Sequence, residues 1–132
     1  LGTDKRHIIR AMLESMAYQT VDLLQAIEKD TGVKPPVIRI DGGMANNDWM
    51  AQYLANILQV PVERPLSTET TALGAAYLAG VGVGAIVSFE ELGQHWQCEH
   101  RFDPAMSVDE RDTKLQAWHR AVGLSLQAAK SS

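Results

Sequence analysis

Val37-Ile38-Arg39-Ile40-Asp41-Gly42-Gly43-Met44-Ala45-Asn46-Asn47-Asp48 is the stretch whose reading decides the fold. Four β-prone, largely apolar residues run into Asp-Gly-Gly, and an amphipathic helical pattern opens directly afterwards. The spacing predicts a strand, a tight glycine turn and a helix N-terminus. Glycine has no Cβ and reaches positive φ, so backbone at such a turn can approach a ligand closely. The N–H groups of a first helical turn point at whatever anion sits there. Ligands of open α/β sheets bind at the carboxyl ends of strands, where this turn falls. Taken alone, Gly42-Gly43 reads equally well as a structural turn.

Upstream, residues 3 to 29 read as one long helix. Ile8, Ile9, Met12, Leu13, Met16, Leu23, Leu24 and Ile27 fall near the spacing of a single apolar stripe. Thr3 is the expected N-cap, with Asp4 in the first turn. Thr31-Gly32 supplies the stop, and Pro35-Pro36 keeps helix out of the linker. Downstream, a helix is expected from about Asn47 to Leu58, buried through Trp49, Met50, Tyr53, Leu54, Ile57 and Leu58 and capped by Asn46 or Asn47. Val60 to Pro65 then reads as a second strand, so the two strands and the helix between them form a βαβ unit with parallel strands.

Residues 67 to 80 predict a third helix, rich in Ala and Gly and suited to close packing, with Thr70 and Thr71 near its start. Val81-Gly82-Val83-Gly84 reads as loop, and Ser88-Phe89-Glu90-Glu91-Leu92 as a short capped turn of helix. A polar segment, 94 to 106, leads into a last helix from Ser107 to about Ala129. Ser107 and Glu110 make a capping-box pattern there, and Leu115, Trp118, Val122 and Leu126 an apolar stripe.

The 132 residues suffice for one domain with a real core. A hydrophobic content of 45%, a charged content of 21% and a net charge of −4 read as ordinary globular protein, without an electrostatic case for nucleic acid or an anionic membrane. The single cysteine, Cys98, forms no intrachain disulfide and reads as a small semi-buried hydrophobe, which makes a reducing cytoplasm the default. No apolar run is long enough for a membrane span, and no signal peptide is legible. The chain begins Leu1-Gly2-Thr3, and is therefore expected to be a piece of a longer protein. His7, His95, His100 and His119 are scattered without a metal-ligand spacing and are expected at the surface or in structural roles. Asp41 reads either as a turn-forming side chain or as a carboxylate facing a metal or nucleotide. Chemistry alone thus yields a possible phosphate-facing loop, no catalytic residue and no metal ligand.

Three runs in order carry a resemblance. Ile38 to Met50, then Val62-Glu63-Arg64-Pro65, then Glu69-Thr70-Thr71-Ala72-Leu73-Gly74-Ala75-Ala76-Tyr77-Leu78-Ala79-Gly80, resemble the C-terminal domain of the glycerol kinase branch of the FGGY carbohydrate kinases. His7 to Glu14, Trp96, Arg101 to Pro104 and Trp118 to Val122 fit the same order. The resemblance covers almost the whole chain.

It implies an α/β chain that is part of an actin-like, ribonuclease-H-like ATPase domain, running helix-strand-helix-strand-helix plus a C-terminal helix. The first strands of that domain are expected upstream. Residues 1–132 are then the nucleotide-binding C-terminal portion, with 86–132 as its helical tail. By motif position Gly42 shapes the adenosine-facing turn, Gly43 gives close backbone approach to the nucleotide, and Asn47 turns a polar side chain towards it. The implied reaction is ATP plus glycerol to ADP plus glycerol 3-phosphate, with Mg2+, in a cytoplasmic homo-oligomer. Glycerol would be held by the missing N-terminal portion, which also carries the catalytic base, so the isolated chain is expected to be inactive and to self-associate through apolar faces and an open strand edge. A xylulose or ribulose kinase and a non-catalytic interaction domain are the alternatives. The run Pro104 to Arg111 departs from the pattern of kinases that bind a sugar-transport regulator, so that partner is not carried over.

Overall fold

A computed structural model describes residues 2–67, 69–86 and 96–131 of the chain. Its elements are α1 (Lys5–Thr31), β1 (Ile38–Arg39), a 3-10 turn (Gly43–Asn46), α2 (Asp48–Leu58), β2 (Val62–Pro65), α3 (Thr70–Gly82), β3 (Cys98–Phe102) and α4 (Val108–Lys130). The α/β order read from the sequence is therefore present. The expected turn at Ser88 to Leu92, like His95 and Thr68, lies outside the described residues.

Local chemistry sets the ends of the helices. Asp4, not Thr3, is the N-cap of α1: its carboxylate accepts the N–H of Arg6 at 2.9 Å, and His7 Nδ1 accepts the Asp4 N–H in return. Both residues can cap, but only Asp4 stands where a charged acceptor meets the first free N–H groups. Gly32 ends α1 at φ 70° in the left-handed region, as the sequence predicts. The last helix is capped by Ser107, whose Oγ accepts the N–H of Glu110. The Glu110 carboxylate turns instead to Lys114, so the reciprocal half of the box is not made.

Helix α2 is the centre of the core. Ala51, Ala55 and Ile57 are fully buried, with Met50, Tyr53, Leu54 and Leu58 beside them. From α1 come Ala17, Tyr18 and Val21, from the sheet Val62 and Phe102, and from α4 Leu115. The Tyr18 and Tyr53 hydroxyls hydrogen-bond at 2.7 Å, Trp118 stacks on Tyr18, and Asp22 accepts from both Trp118 and His119. Three helices are thereby joined at one aromatic cluster. The polar run 103–106 is held by α2 as well: Asn56 Oδ1 accepts the N–H groups of Ala105 and Met106, and Gln52 donates to Asp103 O.

The expected burial differs in four places. On α1 it is Leu13, Ala17, Tyr18, Val21 and Leu24 that meet the core, while Ile8, Ile9, Met12, Met16, Leu23 and Ile27 are exposed. Periodicity identifies an apolar stripe but not the body that covers it. Trp49 is 43% exposed and lies flat on Tyr53, with ring centroids 5.0 Å apart. Helix α3 contributes no buried residue, and close packing is seen at Gly80, where a Cβ would stand 2.7 Å from the Ile86 side chain. On α4, Leu126 is exposed.

The sheet has the order β1-β2-β3, with β1 parallel and β3 antiparallel to β2. Ile38, Val62 and Phe102 form one cross-strand row facing the helices. Arg39, Glu63 and Arg101 form the next row on the opposite face, where Glu63 pairs with Arg101 at 2.9 Å and Arg39 at 3.7 Å. Strand β3 was not legible as a strand: Cys98-Glu99-His100-Arg101 is exposed throughout, and only Phe102 is buried. Cys98 is accordingly an exposed thiol, not a semi-buried hydrophobe. The segment 86–132 thus supplies an edge strand to the sheet as well as the last helix.

Candidate functional site

Strand β1 runs straight into the glycine turn. The Ile40 N–H still donates to Glu63 O at 3.0 Å, and two residues later Gly42 stands at φ 78°, ψ 178°. That conformation belongs almost solely to glycine. Gly42 O then accepts the Ala45 N–H at 3.0 Å, closing the 3-10 turn, and Met44 O accepts the N–H of Asn47 at 3.1 Å.

Gly43 has no positive φ, and a Cβ built on it, or on Gly42, would meet nothing within 4 Å. Neither glycine is needed to make room for the chain's own atoms. Gly42 is required by its backbone angles, whereas Gly43 leaves a bare, exposed stretch of main chain facing open space. This is the geometry that permits close approach by a ligand.

Asn47 is the N-cap of α2. Its Oδ1 accepts the Met50 N–H at 3.1 Å, and its carbonyl accepts that of Ala51. Capping uses the oxygen and so leaves Nδ2 as a donor that the cap does not engage. The sequence offered Asn46 or Asn47 as the cap; geometry selects Asn47.

Two hollows flank the turn. One, of about 300 Å³, is lined by Thr20, Ile38, Asp41, Met44 and Met50 among others. The other, of about 180 Å³, lies between Arg39, Asp41, Pro65, Thr70 and Trp96, with the Arg39 guanidinium 3.8 Å from the Trp96 ring centroid. Asp41 separates them and accepts a hydrogen bond from Thr70 Oγ1, which ties the start of α3 to the end of β1. A third hollow, near Val21, Glu28 and Arg111, lies on the far side of the core and has no part in this site.

Beneath the turn lies a residue that the sequence reading did not single out. Arg64 on β2 is 8% exposed, in the inward register of the strand. Its Nη1 donates to Ala45 O at 2.9 Å and to Asp48 Oδ1 at 2.7 Å, while Nε donates to Glu99 Oε2 at 2.6 Å. Hydrogen bonds to Asp48 first, and then to Glu99, raise its pKa above the ordinary arginine value and keep it charged. A charged residue at an inward position of an alternating strand was the available signal.

Among the described residues no group of three His, Cys, Asp or Glu side chains is placed to hold a metal ion. His7, His100 and His119 are exposed or half-exposed and serve a helix cap, a ring contact with Phe102 and a bond to Asp22. No described helix is long and apolar enough to cross a membrane.

Comparison with known proteins bears out the resemblance. The model of the FGGY family of carbohydrate kinases, C-terminal domain, matches residues 1–83. A glycerol kinase of Janthinobacterium sp. (strain Marseille) is 55% identical over 121 residues, 92% of this chain and 24% of that protein. Glycerol kinase 2 of Thermotoga maritima is 50% identical over 125 residues, 95% of this chain and 25% of that protein. The chain thus spans about a quarter of the length of the curated relatives it matches. Among solved structures, Plasmodium falciparum glycerol kinase with ADP superposes at a TM-score of 0.80 with 31% identity, over 96% of this chain and 25% of that one. Xylulose kinase from Lactobacillus acidophilus follows at 0.74 with 27% identity, over 100% and 28%. With its helix-strand-turn-helix-strand order and glycine turn in place, this chain belongs to the FGGY family of carbohydrate kinases, as part of their C-terminal domain.

Proposed function

We propose that the chain is the nucleotide-binding part of an ATP-dependent glycerol kinase, which transfers the γ-phosphoryl group of ATP to glycerol and releases ADP and glycerol 3-phosphate. The observation that carries this reading is the turn itself. Gly43 presents open backbone and Asn47 a free amide N–H, in a chain that is 55% identical to a glycerol kinase. In this reading Gly42 sets the turn, Gly43 lets the nucleotide lie against the main chain, and Asn47 Nδ2 donates to it. No atom lies within 4 Å of where a Cβ on Gly43 would stand, which supports approach of a nucleotide to that backbone.

Phosphoryl transfer also requires Mg2+ on the phosphates and a base for the glycerol hydroxyl. No residue of this chain is assigned to either, and both belong to the parent protein's remaining length, as does the glycerol site. A cytoplasmic setting accords with the exposed, unpaired Cys98 thiol, and the exposed apolar face of α1 supports association in larger assemblies. A pentulose kinase is the second reading, since a xylulose kinase shares the fold at a TM-score of 0.74.

The test is a coupled ADP-release assay on the full-length parent with glycerol, xylulose and ribulose side by side. Glycerol-dependent turnover is expected, with none above an enzyme-free blank for the isolated chain. Turnover on a pentulose alone would overturn the choice of substrate. An inert parent that fails to bind ADP would overturn the kinase reading.

A further inference from the structure

We propose that Arg64 is the positioning residue of the nucleotide turn, setting the height of the Gly43 backbone above the sheet without touching the ligand. The inference rests on the nucleotide reading above. Arg64 reaches from the central strand to three separate bodies. One arm, Nη1, holds the 3-10 turn through Ala45 O and the start of α2 through Asp48. The other, Nε, is anchored on β3 through Glu99, and the guanidinium carbon lies 5.6 Å from the Phe102 ring centroid.

A planar, forked donor suits this arrangement, because its groups leave in fixed directions from one rigid head. Ala45, the residue it grips, is 1% exposed and lies between Gly43 and Asn47, the two proposed nucleotide contacts. Any shift of Ala45 therefore displaces both. The Ala45 carbonyl also lacks a regular helical partner at this position, since the turn closes through Gly42 O and Met44 O. Without Arg64 a buried acceptor and two carboxylates would lose their common donor.

The anchor is electrostatic as well as steric. Asp48 and Glu99 are exposed, Asp48 at 75%, while the Arg64 side chain between them is 10% exposed. The fixed member of the triad is the one on the strand.

The experiment compares Arg64→Met and Arg64→Lys with Asn56→Ala in the full-length parent. Asn56 holds residues 105 and 106 on the far end of α2, so its loss weakens the fold without reaching the turn. Expected for R64M is a roughly tenfold rise in KM for ATP and in Kd for ADP, with KM for glycerol within about twofold of wild type. R64K, whose single nitrogen cannot reach Glu99 as well as the two acceptors now shared by Nη1, should fall between R64M and wild type. N56A should lower the melting temperature and leave the ATP KM within about twofold. An R64M enzyme with unchanged ADP affinity, or one whose ATP KM moves no more than that of N56A at equal stability, would overturn the role of Arg64. A wild-type parent that binds no ADP would instead refute the nucleotide reading beneath it.

Discussion

In the proposed reading the adjacent glycines of the turn separate folding from binding, and replacing each with alanine measures the two independently. Gly42 sits at φ 78°, ψ 178°, and a Cβ there meets no atom within 4 Å. The penalty of Gly42→Ala is therefore backbone strain alone, about 1–3 kcal/mol. Gly43 has neither a positive φ nor a neighbour for its Cβ. Gly43→Ala should leave stability unchanged, or raise it by about 0.4–1 kcal/mol by restricting the unfolded chain. In the proposed reading a methyl group on the bare backbone would nevertheless stand in the nucleotide's path, and calorimetric ADP affinity should fall by about tenfold or more. The assay pairs urea unfolding with ADP titration on the full-length parent. G43A that is stable and binds ADP like wild type would refute close backbone approach. G43A destabilised as far as G42A would refute the division of roles.

Further outcomes follow from neighbouring geometry. Asn47→Ala removes the α2 cap and should lower stability by about 1 kcal/mol and weaken ADP binding, whereas Asn47→Asp keeps the cap but replaces the donor with a carboxylate, so it should hold stability and still weaken ADP binding; denaturation and ADP titration of both variants would show whether the two roles separate. Ile57→Ala empties a fully buried site between α2 and its neighbours, for a loss of about 2–5 kcal/mol in a urea midpoint series. Burial, together with the Tyr18 hydroxyl, pushes the Tyr53 phenol above its ordinary pKa of 10. The unfolded phenol ionises first, so its contribution is complete below about pH 10 and declines above it, by at most about 1.4 kcal/mol per pH unit. Tyr53→Phe should flatten the alkaline limb of unfolding free energy against pH, read by urea denaturation, by up to that slope, and an unchanged limb would exclude the linkage. Native Cys98 should react promptly with a thiol reagent, since its side chain is exposed.

The parts of the molecule that were legible in the sequence are those governed by neighbours along the chain. Asp41-Gly42-Gly43 announced the turn because glycine's freedom is local, and Asn47 announced a cap for the same reason. The parallel pairing of β1 and β2 followed from a short helix between two apolar runs. Strand β3 was missed because only Phe102 of its five residues is buried, and its partner β2 lies more than thirty residues upstream. Arg64 was missed for a similar reason: its three acceptors lie 16, 19 and 35 residues away. On α1 the periodicity was real, yet two apolar faces coexist, and only one meets the core of this chain. Composition likewise said that α3 is slim without saying what lies beside it.

The Arg39–Glu63–Arg101 row has a consequence for how the chain finds its pairing. Moving β1 or β3 by two residues would keep every side chain on its own face, so hydrophobic burial discriminates weakly against that error. Two positions either side of Glu63, however, stand Pro61, just before β2, and Pro65, its last residue, which offer neither a charge nor an N–H. A shifted strand would set its arginine against a proline and take that cation from Glu63. The alternation of proline, glutamate and proline thus acts as a positional code, admitting one alignment of three very short strands and penalising the nearest wrong ones.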